Sequence, residues 1–178
     1  MLKSLIAALV LALSAAPAAA EVVVRTADSF ILRYEMAAEI DPADIPGALE
    51  NVGRWWDGAH TFSGDAANIT IDLSPGGCWC ERLADGTAFD HGRTVSMSEE
   101  QIVFDAPFGP LRGKAAKAVL TMTWPSPHGV RSQTWEMVVE GPGLGAMADA
   151  VDGGVGDGFQ RWVRNLEPGE APTTPSGP

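Results

Sequence analysis

Apolar and polar residues alternate along most of the chain, a pattern typical of strands that bury one face. Residues 22–26 and 30–39 are rich in β-branched and aromatic side chains, and the turn-forming residues between them predict a hairpin. Beyond Gly64, turn residues separate six more short strands, which we expect at 68–73, 77–83, 88–97, 101–106, 118–124 and 131–140. The order predicts an antiparallel meander with one apolar and one polar face.

A second pattern, with apolar residues three or four positions apart, predicts the helices. Between residues 41 and 56, Pro46 and Gly47 favour two short helical pieces over one straight helix. After Gly143 the same spacing predicts an amphipathic helix that covers the apolar face of the sheet. Four glycines, at 153, 154, 156 and 158, lie off its apolar stripe, so we expect packing on the sheet to hold it. The stripe is formed by Leu144, Met147, Val151, Val155, Phe159, Trp162 and Leu166.

The first twenty residues have the composition of a cleavable signal peptide. Lys3 precedes an apolar run at 5–13, and small residues at 18–20 predict cleavage after Ala20. The run is shorter than the roughly 20 residues that a membrane-spanning helix requires. We therefore expect a periplasmic or secreted protein without a stable membrane anchor. One domain is expected over residues 21–166, followed by a disordered Pro-rich tail over 167–178.

The charge and the glycine motifs exclude several classes of partner. The formal net charge is −11, and removal of Lys3 with the leader makes it −12, so no nucleic-acid partner is expected. Residues 141–146 (GPGLGA) formally match a dinucleotide fingerprint, but no parallel strand is predicted after the helix. Residues 153–158 (GGVGDG) resemble a calcium-binding repeat that occurs only once. We predict no cofactor and no metal.

Four short segments carry a resemblance to a known family. They are 52–56 (VGRWW), 60–64 (HTFSG), 75–81 (PGGCWCE) and 108–111 (FGPL). They resemble the exported bacterial branch of the START-like superfamily, also called SRPBCC or helix-grip, that is known as polyketide cyclase-like or heat-shock ATPase activator-like. The resemblance implies an α+β fold in which a curved antiparallel sheet wraps around a long C-terminal helix, with two short helices after the first strand. It also implies a cavity between sheet and helix for a small hydrophobic ligand.

Aromatic residues are abundant for a domain of this size, and such rings can line an apolar pocket. The alternative is that the same rings fill the core and leave no volume. On the first hypothesis, the ligand-binding candidates are Trp55, Trp56, Phe62, Trp79, Phe89, Trp135, Met137 and Phe159.

Three residues are candidates for acid–base chemistry in such a pocket. Glu81 shares a strand face with Trp79, while His91 lies on a strand whose face from Phe89 to Val95 is expected to point inward. His60 follows in the loop after the double tryptophan. If His60, His91 and Glu81 converge, burial shifts their pKa values toward neutrality. The alternative is that all three are structural residues.

Three function classes follow from these candidates. The leading hypothesis is an exported carrier or sensor that binds a small apolar or amphipathic molecule. The alternative is an enzyme of cyclase, dehydratase or hydrolase type in the same cavity. A protein-interaction module, as the heat-shock activator resemblance implies, is disfavoured by export.

Cys78 and Cys80 lie on the same face of one predicted strand. Same-face neighbours on a regular strand are about 6.5–7 Å apart at Cα, at or beyond the usual disulfide limit. We therefore expect free, packed thiols. Zinc binding would need two further ligands from His60, His91 or His128. Metal or redox use stays open as the alternative.

Overall fold

The computed structural model describes residues 21–37, 41–124 and 132–166. They form one curved eight-stranded antiparallel sheet. The strands are β1 (Glu21–Arg25), β2 (Ser29–Ala37), β3 (Ile69–Ile71), β4 (Cys78–Arg82), β5 (Ala88–Met97), β6 (Gln101–Asp105), β7 (Lys117–Thr123) and β8 (Ser132–Glu140). Their order in the sheet is β1-β2-β8-β7-β6-β5-β4-β3. The predicted meander is confirmed for β3 to β8, and the hairpin of β1 and β2 joins it because β2 pairs with β8.

Two α-helices accompany the sheet. Helix α1 (Ile45–Glu50) is short and lies between two 3₁₀ turns, Pro42–Asp44 and Val52–Arg54, as the proline and glycine predict. Helix α2 (Ala148–Leu166) follows a 3₁₀ turn at Leu144–Met147 and is the long C-terminal helix. The α+β class, with a long helix against an antiparallel sheet, is therefore confirmed.

The core lies between the inner face of the sheet and the apolar stripe of α2. Trp55 is at its centre, with ring centroids 5.5–6.0 Å from those of Trp56, Trp79, Trp135 and Trp162. Such edge-to-face contacts add to the free energy gained by burying the rings. The tryptophans therefore join α2, β4, β8 and the segment after α1 into one core.

Two of the α2 glycines do not lie on its solvent-facing side, contrary to the expectation from the stripe. Gly156 and Gly158 are buried. A Cβ at Gly158 would overlap the indole ring of Trp56, lying 2.9 Å from its Cε3 atom. Gly153, in contrast, is exposed and has nothing near its missing Cβ. Gly158 therefore permits a close approach that a pattern along α2 alone does not reveal.

The two cysteines form a disulfide, so the prediction of free thiols is wrong. The Cα atoms of Cys78 and Cys80 are 5.3 Å apart, closer than on a regular extended strand. The pairing of β4 with β5 is irregular between Trp79 and Cys80, and a twisted, bulged ladder shortens the strand. The regular geometry assumed from sequence does not hold at this point.

Three predictions lie outside the described residues, namely the signal peptide at 1–20, the tail at 167–178 and any role of His128. They stay predictions. Among the described helices, none is long and apolar enough to cross a membrane.

Candidate functional site

A cavity of about 490 Å³ lies beyond the tryptophan core, where the first half of α2 faces β3, β4 and β5. Two loops, residues 56–62 and 108–110, complete its wall. Most of the lining is apolar, and its polar side chains are His60, Thr61 and His91. The apolar wall is formed mainly by Trp56, Phe62, Ile69, Trp79, Phe108, Val151 and Val155.

The aromatic residues predicted to bind ligand separate into two groups. Trp56, Phe62 and Trp79 line the cavity, and Phe89 supports it from behind, with its ring centroid 4.5 Å from that of Phe62. The other four, Trp55, Trp135, Met137 and Phe159, are buried in the core and are not part of the lining of this cavity. Some of these residues therefore line a cavity, and the others fill the core.

Ten of the fifteen lining residues are not among the site residues predicted from the sequence, and four of these ten, Ile69, Phe108, Val151 and Val155, are large and apolar. Phe108 belongs to the segment quoted for the family resemblance, but its position in a loop gave no reason to place it at a cavity. Ile69, Val151 and Val155 have the pattern of ordinary core residues. No signal in the sequence separates them from the rest of the core, because the cavity depends on where the packed tryptophans end.

A β-bulge directs His91 toward the cavity. Trp79 pairs with Gly92 and Cys80 with Asp90, so His91 is the extra residue on β5. Bulges re-aim side chains and interrupt alternation, and they are common beside functional sites. Beyond the bulge the face of β5 reverses, and Val95 is 54% exposed. The expectation that Val95 points inward is therefore wrong, whereas His91 is buried as expected.

Glu81 and His91 form a buried pair. The Glu81 side chain is fully buried, and its Oε2 atom lies 2.8 Å from His91 Nε2. Glu81 also accepts hydrogen bonds from two backbone N–H groups, that of Phe62 at 3.1 Å and that of Ser63. Glu81 therefore anchors the loop that forms one wall of the cavity and orients the His91 ring.

The charges of the pair follow from these contacts. Burial raises the pKa of Glu81, but the hydrogen bonds from Ser63, Phe62 and His91 outweigh it, so the pKa lies below its usual value. Burial lowers the pKa of His91, and the opposing effect of Glu81 does not outweigh it. The pair at neutral pH is an ionised carboxylate beside a neutral imidazole.

The structure brings together two of the three acid–base candidates. His91 lines the cavity beside Glu81, while Glu81 itself is not part of the lining. His60 lines the same cavity from the exposed loop, where its ring lies near Gly154 of α2. No hydrogen bond joins the His60 side chain to any described residue. Glu81 is therefore a positioning residue, and the histidines are the groups that a bound molecule can reach.

Ion pairs connect α2 to β1 and to the cavity loop. Arg161 Nε donates to Asp157 on α2 at 2.7 Å, and its guanidinium also pairs with Asp57 of the cavity loop. Arg25 of β1 pairs with Asp149 at the start of α2. These partly exposed pairs link the helix to the loop and to the sheet edge at the two ends of the cavity wall.

Metal ligation has no support in the part of the chain that the structure describes. Within it, no three His, Cys, Asp or Glu side chains come together as a metal site. Cys78 and Cys80 are joined to each other, and Nε2 of His91 is bound to Glu81. The zinc alternative from the sequence therefore loses its thiolate ligands.

Comparison with known proteins identifies the fold. No family model matches the chain, and no curated protein sequence matches it. A putative uncharacterized protein from Rhizobium leguminosarum superposes with a TM-score of 0.54 at 20% sequence identity, over 81% of this chain and 98% of that one. Major latex-like protein 151 from Panax ginseng superposes with a TM-score of 0.51 at 17% identity, over 78% of this chain and 95% of that one.

A third similar structure is the di-domain ARO/CYC protein StfQ from the steffimycin biosynthetic pathway. Its TM-score is 0.52 at 10% identity, over 80% of this chain and 52% of StfQ, so the chain spans about half of that protein. These likenesses show a shared fold. The chain has the α+β helix-grip fold.

Proposed function

We propose that this protein binds a small apolar or amphipathic molecule in the cavity between α2 and the sheet, and acts as an exported carrier or sensor. The observation that carries the proposal is the cavity itself. At about 490 Å³ it is within the usual range for small-molecule sites, and apolar and aromatic side chains form most of its wall.

The composition of the wall supports an apolar ligand. Trp56, Trp79 and Phe108 present rings to the cavity, so a bound molecule would remove apolar surface from water. Against this apolar wall, the described lining has three polar side chains, His60, Thr61 and His91. This division favours a molecule with an apolar body and one polar group.

The alternative is an enzyme in the same cavity. His91, which is oriented by Glu81 and reaches the cavity, would act as the base. The shared fold with an ARO/CYC protein is consistent with such chemistry and does not establish it. If the purified protein hydrolyses 4-nitrophenyl acetate at the same rate after His91→Phe, this alternative loses its base.

A test of the binding proposal uses a leucine to fill the cavity. Gly154 lines the cavity wall, and a Cβ there makes only ordinary contact, 3.8 Å from His60 Nδ1. We expect Gly154→Leu to lower the affinity for the neutral fluorescent probe N-phenyl-1-naphthylamine by about tenfold or more, because the side chain occupies ligand volume. Probe fluorescence titration measures the change.

Gly153→Leu is the matched control. Gly153 precedes Gly154 on the same helix, is exposed, and has nothing within 4 Å of its missing Cβ. Both substitutions raise helix propensity by a similar amount, so only the cavity distinguishes them. Equal probe affinity in the two variants, or no probe binding by the wild type, would contradict the proposal.

A further inference from the structure

His91 is a polar residue of the cavity lining, and its contacts with neighbouring side chains set the orientation of its ring. His91 Nε2 contacts Glu81, which lies outside the cavity lining. The His91 ring is also covered by Phe89 and Phe62, with ring centroids 4.9 Å and 5.8 Å away. The imidazole therefore has little freedom to rotate or to exchange the roles of its two nitrogens.

Glu81 determines which nitrogen of His91 carries the proton. Its two oxygens already accept backbone N–H groups from Phe62 and Ser63. A carboxylate that serves three donors is stabilised in its ionised form and offers no proton of its own. Nε2 of His91 must therefore be the donor to Glu81, which leaves Nδ1 as an acceptor when the ring is neutral.

Nδ1 of His91 has no hydrogen-bond partner among the described residues. It is also not sealed in the core, because the indole nitrogens of Trp135 and Trp162 are the only buried side-chain N or O atoms in the described residues that lack a partner. His91 belongs to the cavity lining. An accessible acceptor without a partner thus lies in the wall of an apolar cavity.

We infer that the cavity selects molecules with an apolar body and a neutral hydrogen-bond donor, such as a phenolic hydroxyl, which donates to Nδ1 of His91. This inference rests on the proposed function and names the ligand class of that same site. An apolar molecule without a donor would leave Nδ1 unsatisfied once water is displaced. A hydroxyl restores the lost hydrogen bond.

The surrounding charges disfavour an anionic head group. None of the described residues that line the cavity is lysine or arginine. The cation whose charge acts on the pKa of His91 is Arg112, which is paired with Asp90 at 3.0 Å. A ligand carboxylate at Nδ1 would lie beside the Glu81–His91 pair in apolar surroundings without a countercharge. Fatty-acid-like anions are therefore the wrong class for this site.

Three probes of similar size test the inference by calorimetric titration. They are 2-naphthol, naphthalene and 2-naphthoate, which share one apolar body. We expect 2-naphthol to bind about fivefold more tightly than naphthalene, as one added hydrogen bond in a partly wet site predicts, and 2-naphthoate to bind most weakly. In His91→Phe the preference for 2-naphthol over naphthalene should disappear while naphthalene still binds.

The outcomes separate the inference from the proposed function. If none of the three probes binds, the binding function itself fails. If naphthalene binds but 2-naphthol is no tighter, or if 2-naphthoate is tightest, the cavity binds ligand and the inference is overturned. Loss of the preference in His60→Gln instead of His91→Phe would also overturn it, since the acceptor would then be His60.

A spectroscopic measurement on the wild type keeps the test valid if His91→Phe fails to fold. Imidazole ¹⁵N resonances distinguish protonated from unprotonated ring nitrogens. We expect Nε2 of His91 to be protonated and Nδ1 unprotonated in the free protein, with Nδ1 alone shifting when 2-naphthol binds. A proton on Nδ1 in the free protein at neutral pH would contradict the inference.

Discussion

At the scale of single residues, the Glu81–His91 pair is the feature with the widest consequences. Glu81 holds the Phe62–Ser63 backbone and His91 at the same time, so one carboxylate connects β4, β5 and the cavity loop. Removal of the Glu81 carboxylate would leave hydrogen-bond donors unsatisfied in a buried position. The free-energy cost of these unsatisfied donors is larger than the net contribution of the hydrogen bonds to stability. The pair therefore contributes to both stability and the shape of the site.

The buried imidazole makes stability depend on pH. The pKa of His91 is lowered in the folded protein by burial, against about 6.5 in the unfolded chain. The unfolded chain therefore binds a proton before the folded protein does, and the stability from a neutral His91 is lost as pH falls below about 6.5 toward the folded pKa. Glu81, Asp90 and Arg112 are the charged groups that act on the His91 ring.

We expect the free energy of unfolding in urea to be lower at about pH 5.5 than at about pH 7.5, with a smaller drop in His91→Gln. The glutamine amide can still donate to Glu81 but does not titrate. Urea titrations at the two pH values measure both differences. The same drop in variant and wild type would show that other groups cause the pH dependence.

At the scale of elements, α2 combines a strong apolar stripe with an unusual number of glycines. The stripe predicted its position along the chain well, because burial of one helix face is periodic in sequence. The role of Gly158 could not be predicted, since Trp56 is about a hundred residues away along the chain and only the folded structure brings its ring against the helix. Helix propensity alone would assign the same cost to all four glycines.

Alanine substitutions separate the two kinds of glycine. We expect Gly158→Ala to destabilise the protein by about 1–3 kcal/mol, because the new methyl group overlaps the Trp56 ring and forces it to move. Gly153→Ala should stabilise it by about 0.5–1 kcal/mol, because it raises helix propensity without a new contact. Urea unfolding measures both. Effects of the same sign in the two variants would contradict this account of Trp56.

The bulge on β5 is the second feature that sequence patterns at this scale did not reveal. Alternation placed Glu81 on the same strand face as Trp79 and His91 on a face expected to point inward, and the structure agrees. The same rule placed Val95 inward, which is wrong because the extra residue at His91 reverses the face of the strand and Val95 is itself the extra residue in the pairing with β6. A bulge depends on how two strands pair, and the alternation within one strand does not record it.

At the scale of the whole molecule, the tryptophan cluster and the cavity occupy different parts of one space between sheet and helix. The cluster around Trp55 fills the region under the middle and end of α2, and the cavity opens under its first half. Arg161 and Arg25 hold α2 over both regions through Asp57 and Asp149. The proposed binding cavity is therefore the part of this space that the large side chains do not fill.

The disulfide and the predicted signal peptide lead to one prediction about the processed protein. Disulfides persist in oxidising compartments, and Cys78 and Cys80 are joined in the fold. We expect intact-mass measurement of the protein from its host to show a chain that begins at Glu21 and contains an oxidised cysteine pair. A retained Met1, or two free thiols in the native protein, would contradict the export hypothesis.

The sequence by itself determined the order of strands and helices, the apolar stripe of α2 and the shared strand face of Trp79 and Glu81, because these follow from periodicities along a single element. Only the tertiary structure decided the Cys78–Cys80 disulfide, the need for Gly158, and which tryptophans fill the core or line the cavity. Each of these depends on the distance between segments far apart in the chain or on an irregularity in strand pairing. The local spacing of residues does not encode either quantity. The cavity, and the position of His91 in its wall, are therefore defined only when α2 packs on the sheet.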